Sequence, residues 1–106
     1  MEDVYLAVFC TFPDPESARR IIGRLVETRL IACGNILPGV ESIYRWKEHI
    51  ERSSEVLAIL KTTKDKFGLL ECAFKELHSY EVPELIATRI SNGSPAYLSW
   101  ISESVG

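Results

Sequence analysis

The chain has 106 residues, 46% of them hydrophobic, and its twelve Lys and Arg against fifteen Asp and Glu give a formal charge of −3. That size makes one domain, 1–106, and an acidic balance without a run of Lys and Arg argues against nucleic acid or an anionic membrane as a dominant partner. The apolar stretches Val4–Phe12 and Ile31–Val40 are too short and too broken to span a bilayer.

The opening Met1-Glu2-Asp3 has no basic region, so no signal peptide is expected there. Cys10, Cys33 and Cys72 are odd in number and widely spaced. That suits a reduced, cytoplasmic chain better than a disulfide scaffold or a structural zinc site.

Val4–Thr11 is nearly all apolar, with Val4, Leu6, Val8 and Cys10 on one face and Tyr5, Ala7 and Phe9 on the other. Two apolar faces predict a central strand covered on both sides. Asp14 followed by Pro15 is a helix start. Ala18, Ile21, Ile22, Leu25 and Val26 then form the apolar stripe of a helix over about 15–29, with Arg19, Arg20, Arg24 and Glu27 on the solvated side.

Cys33–Trp46 and His49–Thr62 are extended arms of fourteen residues each, joined at Lys47-Glu48. Each arm would be roughly 45 Å long, against about 26 Å for the first strand, at the usual rise per residue. Half of the hairpin must therefore protrude, and Pro38-Gly39 marks a bend or bulge. A lone hairpin is marginal in water, and this one carries Tyr44 and Trp46 near its tip. Pairing with other copies of the chain resolves the open edges, so the lengths alone predict an oligomer.

A second helix is expected over about 64–78, with Phe67, Leu70, Phe74 and Leu77 buried and Thr62 or Thr63 as cap. Glu84–Ile90 reads as a fourth strand, and Ser94-Pro95 opens a final helix over about 95–103 with Tyr97, Leu98 and Ile101 on one side. The fold class is therefore α+β: a ferredoxin-like βαββαβ sandwich with a protruding hairpin and a C-terminal helix. In the usual 4-1-3-2 strand order, Cys10, His78 and Glu84 share one end of the sheet, where the hairpin also begins.

The runs Leu30-Ile31-Ala32-Cys33-Gly34-Asn35-Ile36, Pro38-Gly39, Ser42-Ile43-Tyr44-Arg45-Trp46-Lys47, Lys61-Thr62-Thr63, His78-Ser79-Tyr80-Glu81-Val82-Pro83-Glu84 and Tyr97-Leu98-Ser99-Trp100 together resemble the CutA divalent-cation-tolerance family over nearly the whole chain. The resemblance implies a homotrimer of ferredoxin-like subunits, similar in architecture to PII signalling proteins. It also implies heavy-metal tolerance, with Cu(II) bound in some members and no obligatory cofactor. In the copper-binding pattern a Cys ends the first strand and two adjacent histidines end the second helix. Cys10 and His78 match the Cys and the second His; Leu77 stands at the first. A weak Cu(II) site at Cys10 and His78 is the resulting expectation.

Cys10 has the alternative of a packed strand thiol, and His78 that of a helix-end side chain near the last carbonyls. Cys33 and Cys72 are expected to be buried packing residues. Tyr44, Trp46, Lys61, Tyr80 and Glu84 resemble the polar-aromatic cleft between subunits in this family. They could bind a small ligand or a partner's tail, or simply fasten the trimer.

An enzyme is not expected. The loop Cys10-Thr11-Phe12-Pro13-Asp14 lacks the Arg and Gly of a phosphate cradle, and no nucleophile elbow accompanies the two histidines.

Overall fold

The computed structural model describes residues 3–106. The elements are β1 (Tyr5–Phe12), α1 (Pro15–Glu27), β2 (Cys33–Trp46), β3 (His49–Thr63), α2 (Phe67–Leu77), β4 (Leu85–Arg89) and α3 (Pro95–Val105), with a 3₁₀ turn at Lys64–Lys66 leading into α2. One four-stranded antiparallel sheet has the order β2-β3-β1-β4. This is the ferredoxin-like arrangement expected from the order of elements.

Leu6, Val8, Cys10 and Phe12 of β1 lie buried under Ala18, Ile21, Ile22 and Leu25 of α1 and Leu70 and Phe74 of α2. The Asp14 carboxylate accepts the Ser17 amide at 2.7 Å and caps α1, and that bond holds its pKa below the ordinary value. Val26, assigned to the apolar stripe, is instead exposed, because α1 ends at Glu27 and Val26 sits at the margin of its buried face. Gly34 lets α1 approach closely. A Cβ there would lie 2.7 Å from Ile22 Cγ2 and 2.9 Å from Leu60 Cδ2.

The opposite face of the sheet is covered less. Ile101 and Val105 of α3 pack with Ala32, Tyr5 and Leu98, so α3 shields only the end of β1 where Tyr5 lies. Tyr97, expected on the packed side of α3, is exposed. Ala7 and Phe9 remain half-buried and Ile86 exposed. The two-sided covering expected for β1 is thus complete on one face and partial on the other.

Neither threonine before α2 caps it. Thr63 donates to the Asp65 side chain, and Thr62 donates to the Leu30 carbonyl at 2.8 Å. The 3₁₀ turn supplies the entry to the helix instead.

The long hairpin has the predicted dimensions. The molecule measures 46 × 25 × 23 Å and exposes 6895 Å², against roughly 6,000 Å² for a compact chain of this mass. β3 pairs with β1 only over Val56–Thr63, while the distal part of β3 pairs with β2 alone. The tip is a two-residue turn in which Lys47 (φ 48°) and Glu48 (φ 71°) both take left-handed conformations, as a type I′ hairpin turn requires.

Between Leu37 and Val40 the register slips. Leu37 faces Leu57 but Val40 faces Glu55, so three steps on β2 match two on β3. Gly39, at φ 78°, carries this bulge. One extra residue exchanges the faces of everything beyond it. Cys33, Asn35 and Leu37 share a face with Lys61, Ile59 and Leu57; past the bulge Val40, Ser42, Tyr44 and Trp46 take up that face with Glu55.

Candidate functional site

The end of β1, the end of α2 and the start of β4 meet at one end of the sheet. Cys10 is fully buried and paired with Ala58 on one side and Leu85 on the other. Its thiol lies 4.0 Å from the Ala58 carbonyl. Burial, and then the Glu84 carboxylate nearby, pushes its pKa from 9.0 up to about 12.

His78 is the last residue before the chain leaves α2, and it is buried. Its imidazole is stacked on Phe12 at 5.2 Å and packed against Phe74 at 5.0 Å and Tyr80 at 4.6 Å. The Tyr80 amide donates to Nδ1 at 3.1 Å, which fixes the proton on Nε2, and Nε2 donates to the Thr11 carbonyl at 2.7 Å. The ring thus ties the loop after α2 to the end of β1 rather than to the carbonyls of its own helix. Both nitrogens are in use.

Tyr80 carries the connection outward. Its hydroxyl donates to Glu55 Oε2 at 2.6 Å, and desolvation together with this bond raises the phenol pKa well above the ordinary value. Glu55, Tyr80, Thr11 and the segment Ser79–Glu84 face Ser42, Ile43, Tyr44 and Trp46 of the hairpin across a cleft of about 630 Å³. At its rim, Lys47 at the hairpin tip stands 4.0 Å from Glu81. Both groups are exposed, so this pair contributes little.

Tyr44, Trp46, Tyr80 and Glu84 thus line one cleft within the chain. Lys61 is not part of the cleft. It lies six residues along β3 from Glu55, roughly 20 Å at strand rise, and its ammonium bonds the Asn35 side chain. Within one chain the sheet therefore separates Lys61 from this cleft; the cleft that the resemblance implies is formed between chains.

Cys10 and His78 lie at the same end, but among the described residues no group of three or more His, Cys, Asp and Glu is arranged to hold a metal ion. Cys33 is half-buried and Cys72 exposed, not buried as expected; Cys33 lies at the edge strand, 3.5 Å from the Tyr97 hydroxyl. Glu55 was missed. Its signal is a carboxylate directly before the apolar run Val56–Leu60, at a position where a polar residue would ordinarily be solvated.

A ferredoxin-like fold whose hairpin protrudes beyond β1, with an aromatic, acidic cleft beside it, defines the structural class. The family model for the CutA1 divalent ion tolerance protein matches residues 6–104. The divalent-cation tolerance protein CutA of Thermus thermophilus is 45% identical over 106 residues, covering all of both chains. The solved structure of the divalent cation tolerance protein from Thermus thermophilus superimposes with a TM-score of 0.93 at 44% identity, covering 96% of this chain and 99% of that one. The chloroplastic CutA 1 of rice is 37% identical over 93% of this chain, which spans only 56% of that longer protein. This chain belongs to the CutA1 divalent ion tolerance family.

Proposed function

We propose that the chain works in divalent-cation tolerance as a closed homotrimer that binds Cu(II) weakly at the end of the sheet holding Cys10 and His78. The observation carrying this reading is that Cys10 and His78 lie at one end of the sheet, with the Glu84 carboxylate near enough to raise the pKa of the Cys10 thiol, although among the described residues they form no three-ligand group in the single chain. Thiolate and imidazole suit copper or zinc better than magnesium or calcium. The binding is weak for two reasons. Forming a thiolate at pH 7 from a group with a pKa near 12 costs about 7 kcal/mol at 1.36 kcal/mol per pH unit. The imidazole must also release Thr11 or Tyr80 before it can offer a lone pair.

Trimer formation is supported by the distal β3 edge, free of β1 beyond Val56, and by the exposed Ile43, Tyr44, Trp46 and Ile50 of the hairpin. No catalytic step is assigned. The three unpaired thiols support a cytoplasmic location.

Copper titration followed by spectroscopy tests the metal reading: binding should fall in Cys10→Ser and in His78→Ala. Absence of saturable binding to the wild type overturns it. Sedimentation at micromolar concentration should give about 36 kDa for three 12.0 kDa chains. A stable 12 kDa species with native circular dichroism overturns the oligomer.

The 630 Å³ cleft favours a second reading, a PII-like regulatory trimer that takes a small ligand or a partner's tail beside Tyr44, Trp46 and Tyr80. A thermal-shift ligand screen, with Glu84→Ala as control, tests it.

A further inference from the structure

We infer that Tyr80 is a positioning residue that latches His78 to the base of the hairpin, so that a metal ion gains the imidazole only by loosening that base. This rests on the metal reading above and names the residue that regulates the site.

The His78 ring has two routes to a free lone pair, and they are unequal. A neutral imidazole carries one proton, here on Nε2, which donates to the Thr11 carbonyl, while Nδ1 accepts the Tyr80 amide. Ligation through Nε2 moves the proton to Nδ1, where it meets the Tyr80 N–H, and both bonds are lost. Ligation through Nδ1 loses the Tyr80 bond alone. It leaves Nε2–H on a backbone carbonyl, an ordinary partner for the second nitrogen of a ligating histidine. By either route the Tyr80 amide must leave.

Tyr80 is held in place from the hairpin. Its ring packs on the imidazole at 4.6 Å, and its hydroxyl donates to Glu55 Oε2 at 2.6 Å. A hydrogen bond to a carboxylate is stronger than a neutral one. Glu55 stands where the hairpin parts from the sheet: its neighbour Val56 is the last residue of β3 paired with β1, and Glu55 itself faces Val40 just past the bulge. One residue thus grips the imidazole with its amide and the hairpin base with its hydroxyl. Every contact in this series is made within one chain, so none depends on which faces the assembly covers. Metal affinity and the Tyr80–Glu55 bond oppose each other, and by linkage each weakens the other by the same factor.

The test is Cu(II) titration of the assembled wild type, Tyr80→Phe, Glu55→Gln and His78→Ala, with hydrogen exchange of segments 52–58 and 78–84 read by mass spectrometry with and without the ion. Tyr80→Phe keeps the ring and the amide and deletes only the hydroxyl. It should tighten Cu(II) binding about tenfold, the equivalent of one hydrogen bond to a charged group. Glu55→Gln leaves Tyr80 a neutral acceptor and should tighten binding by a smaller factor, which serves if the phenylalanine variant does not fold. In the wild type Cu(II) should speed exchange in both segments; in Tyr80→Phe, 52–58 should exchange faster from the start and no longer respond to the ion. A tyrosine that merely supports the fold would not improve metal binding when its hydroxyl is removed. Unchanged or weaker binding in both variants, or wild-type exchange at 52–58 that ignores bound copper, overturns the latch and leaves the metal reading standing. No saturable binding to the wild type, or binding that persists in His78→Ala, overturns both.

Discussion

The burial of Cys10 makes a specific demand on the pH dependence of stability. In the unfolded chain the thiol ionises near 9.0; in the folded subunit burial and Glu84 raise this to about 12. Between those values the unfolded state binds fewer protons than the folded one, so the stability slope with pH is negative. The stabilisation present below pH 9 is lost progressively from about 9 to about 12, at up to 1.36 kcal/mol per pH unit, for a total of about 4 kcal/mol. Urea unfolding of the wild type and of Cys10→Ala at matched protein concentration, in steps from pH 7.5 to 10.5, isolates this contribution. Fixed concentration is needed because the proposed trimer would add a mass-action contribution to the apparent stability. The wild type should lose about 1.5–2 kcal/mol more than the variant over that range, most of it above pH 9. Tyr80 and Tyr97, whose phenols are also raised from 10.0, add to the loss near the top of this range in both proteins alike, so the difference between them isolates Cys10. Parallel pH profiles for the two proteins would refute the reasoning, as would rapid labelling of Cys10 by a thiol reagent at pH 8 in the native state.

Gly34→Ala should destabilise by about 1–3 kcal/mol in denaturant unfolding, since its methyl group would press on Ile22 and Leu60 inside a packed core. Glu48→Gly should raise stability by about 0.5–1 kcal/mol by relieving a left-handed residue with a side chain, measured as a higher urea midpoint with an unchanged slope. Phe74→Ala should cost about 3–5 kcal/mol in the same assay, because it removes a fully buried ring packed against both Phe12 and His78. Leu77→His, placing an imidazole beside His78 at the position where the family's copper pattern has one, should tighten Cu(II) binding in spectroscopic titration. Unchanged affinity in a folded oligomer would show that the pattern does not transfer to this chain.

How much of this was legible beforehand follows from the range of each interaction. Helix and strand positions depend on neighbours in the chain. Asp14-Pro15 and Ser94-Pro95 mark starts, and Leu70 and Phe74 recur at helical spacing, so α1, α2 and α3 were placed to within a few residues. The protruding hairpin was also determined by sequence alone, because two fourteen-residue arms cannot be matched by an eight-residue strand. Family membership was readable from motifs spread along the chain.

What the sequence did not determine were relations across the sheet. Pro38-Gly39 signalled a bend, but only the pairing of Leu37 with Leu57 and Val40 with Glu55 decided that the strand slips by one residue and turns Tyr44 and Trp46 onto the face of Glu55. Lys61, which the family pattern groups with those aromatics in a cleft between chains, lies toward the other end of β3 from Glu55 within one chain. His78 was expected as a weak copper ligand or as a helix-end side chain near the last carbonyls of α2. The folded chain brings Thr11, from 67 positions away, and the Tyr80 amide onto its two nitrogens. Such bonds depend on which ends of which elements meet, a property of the packed sheet and helices that no local pattern of residues encodes.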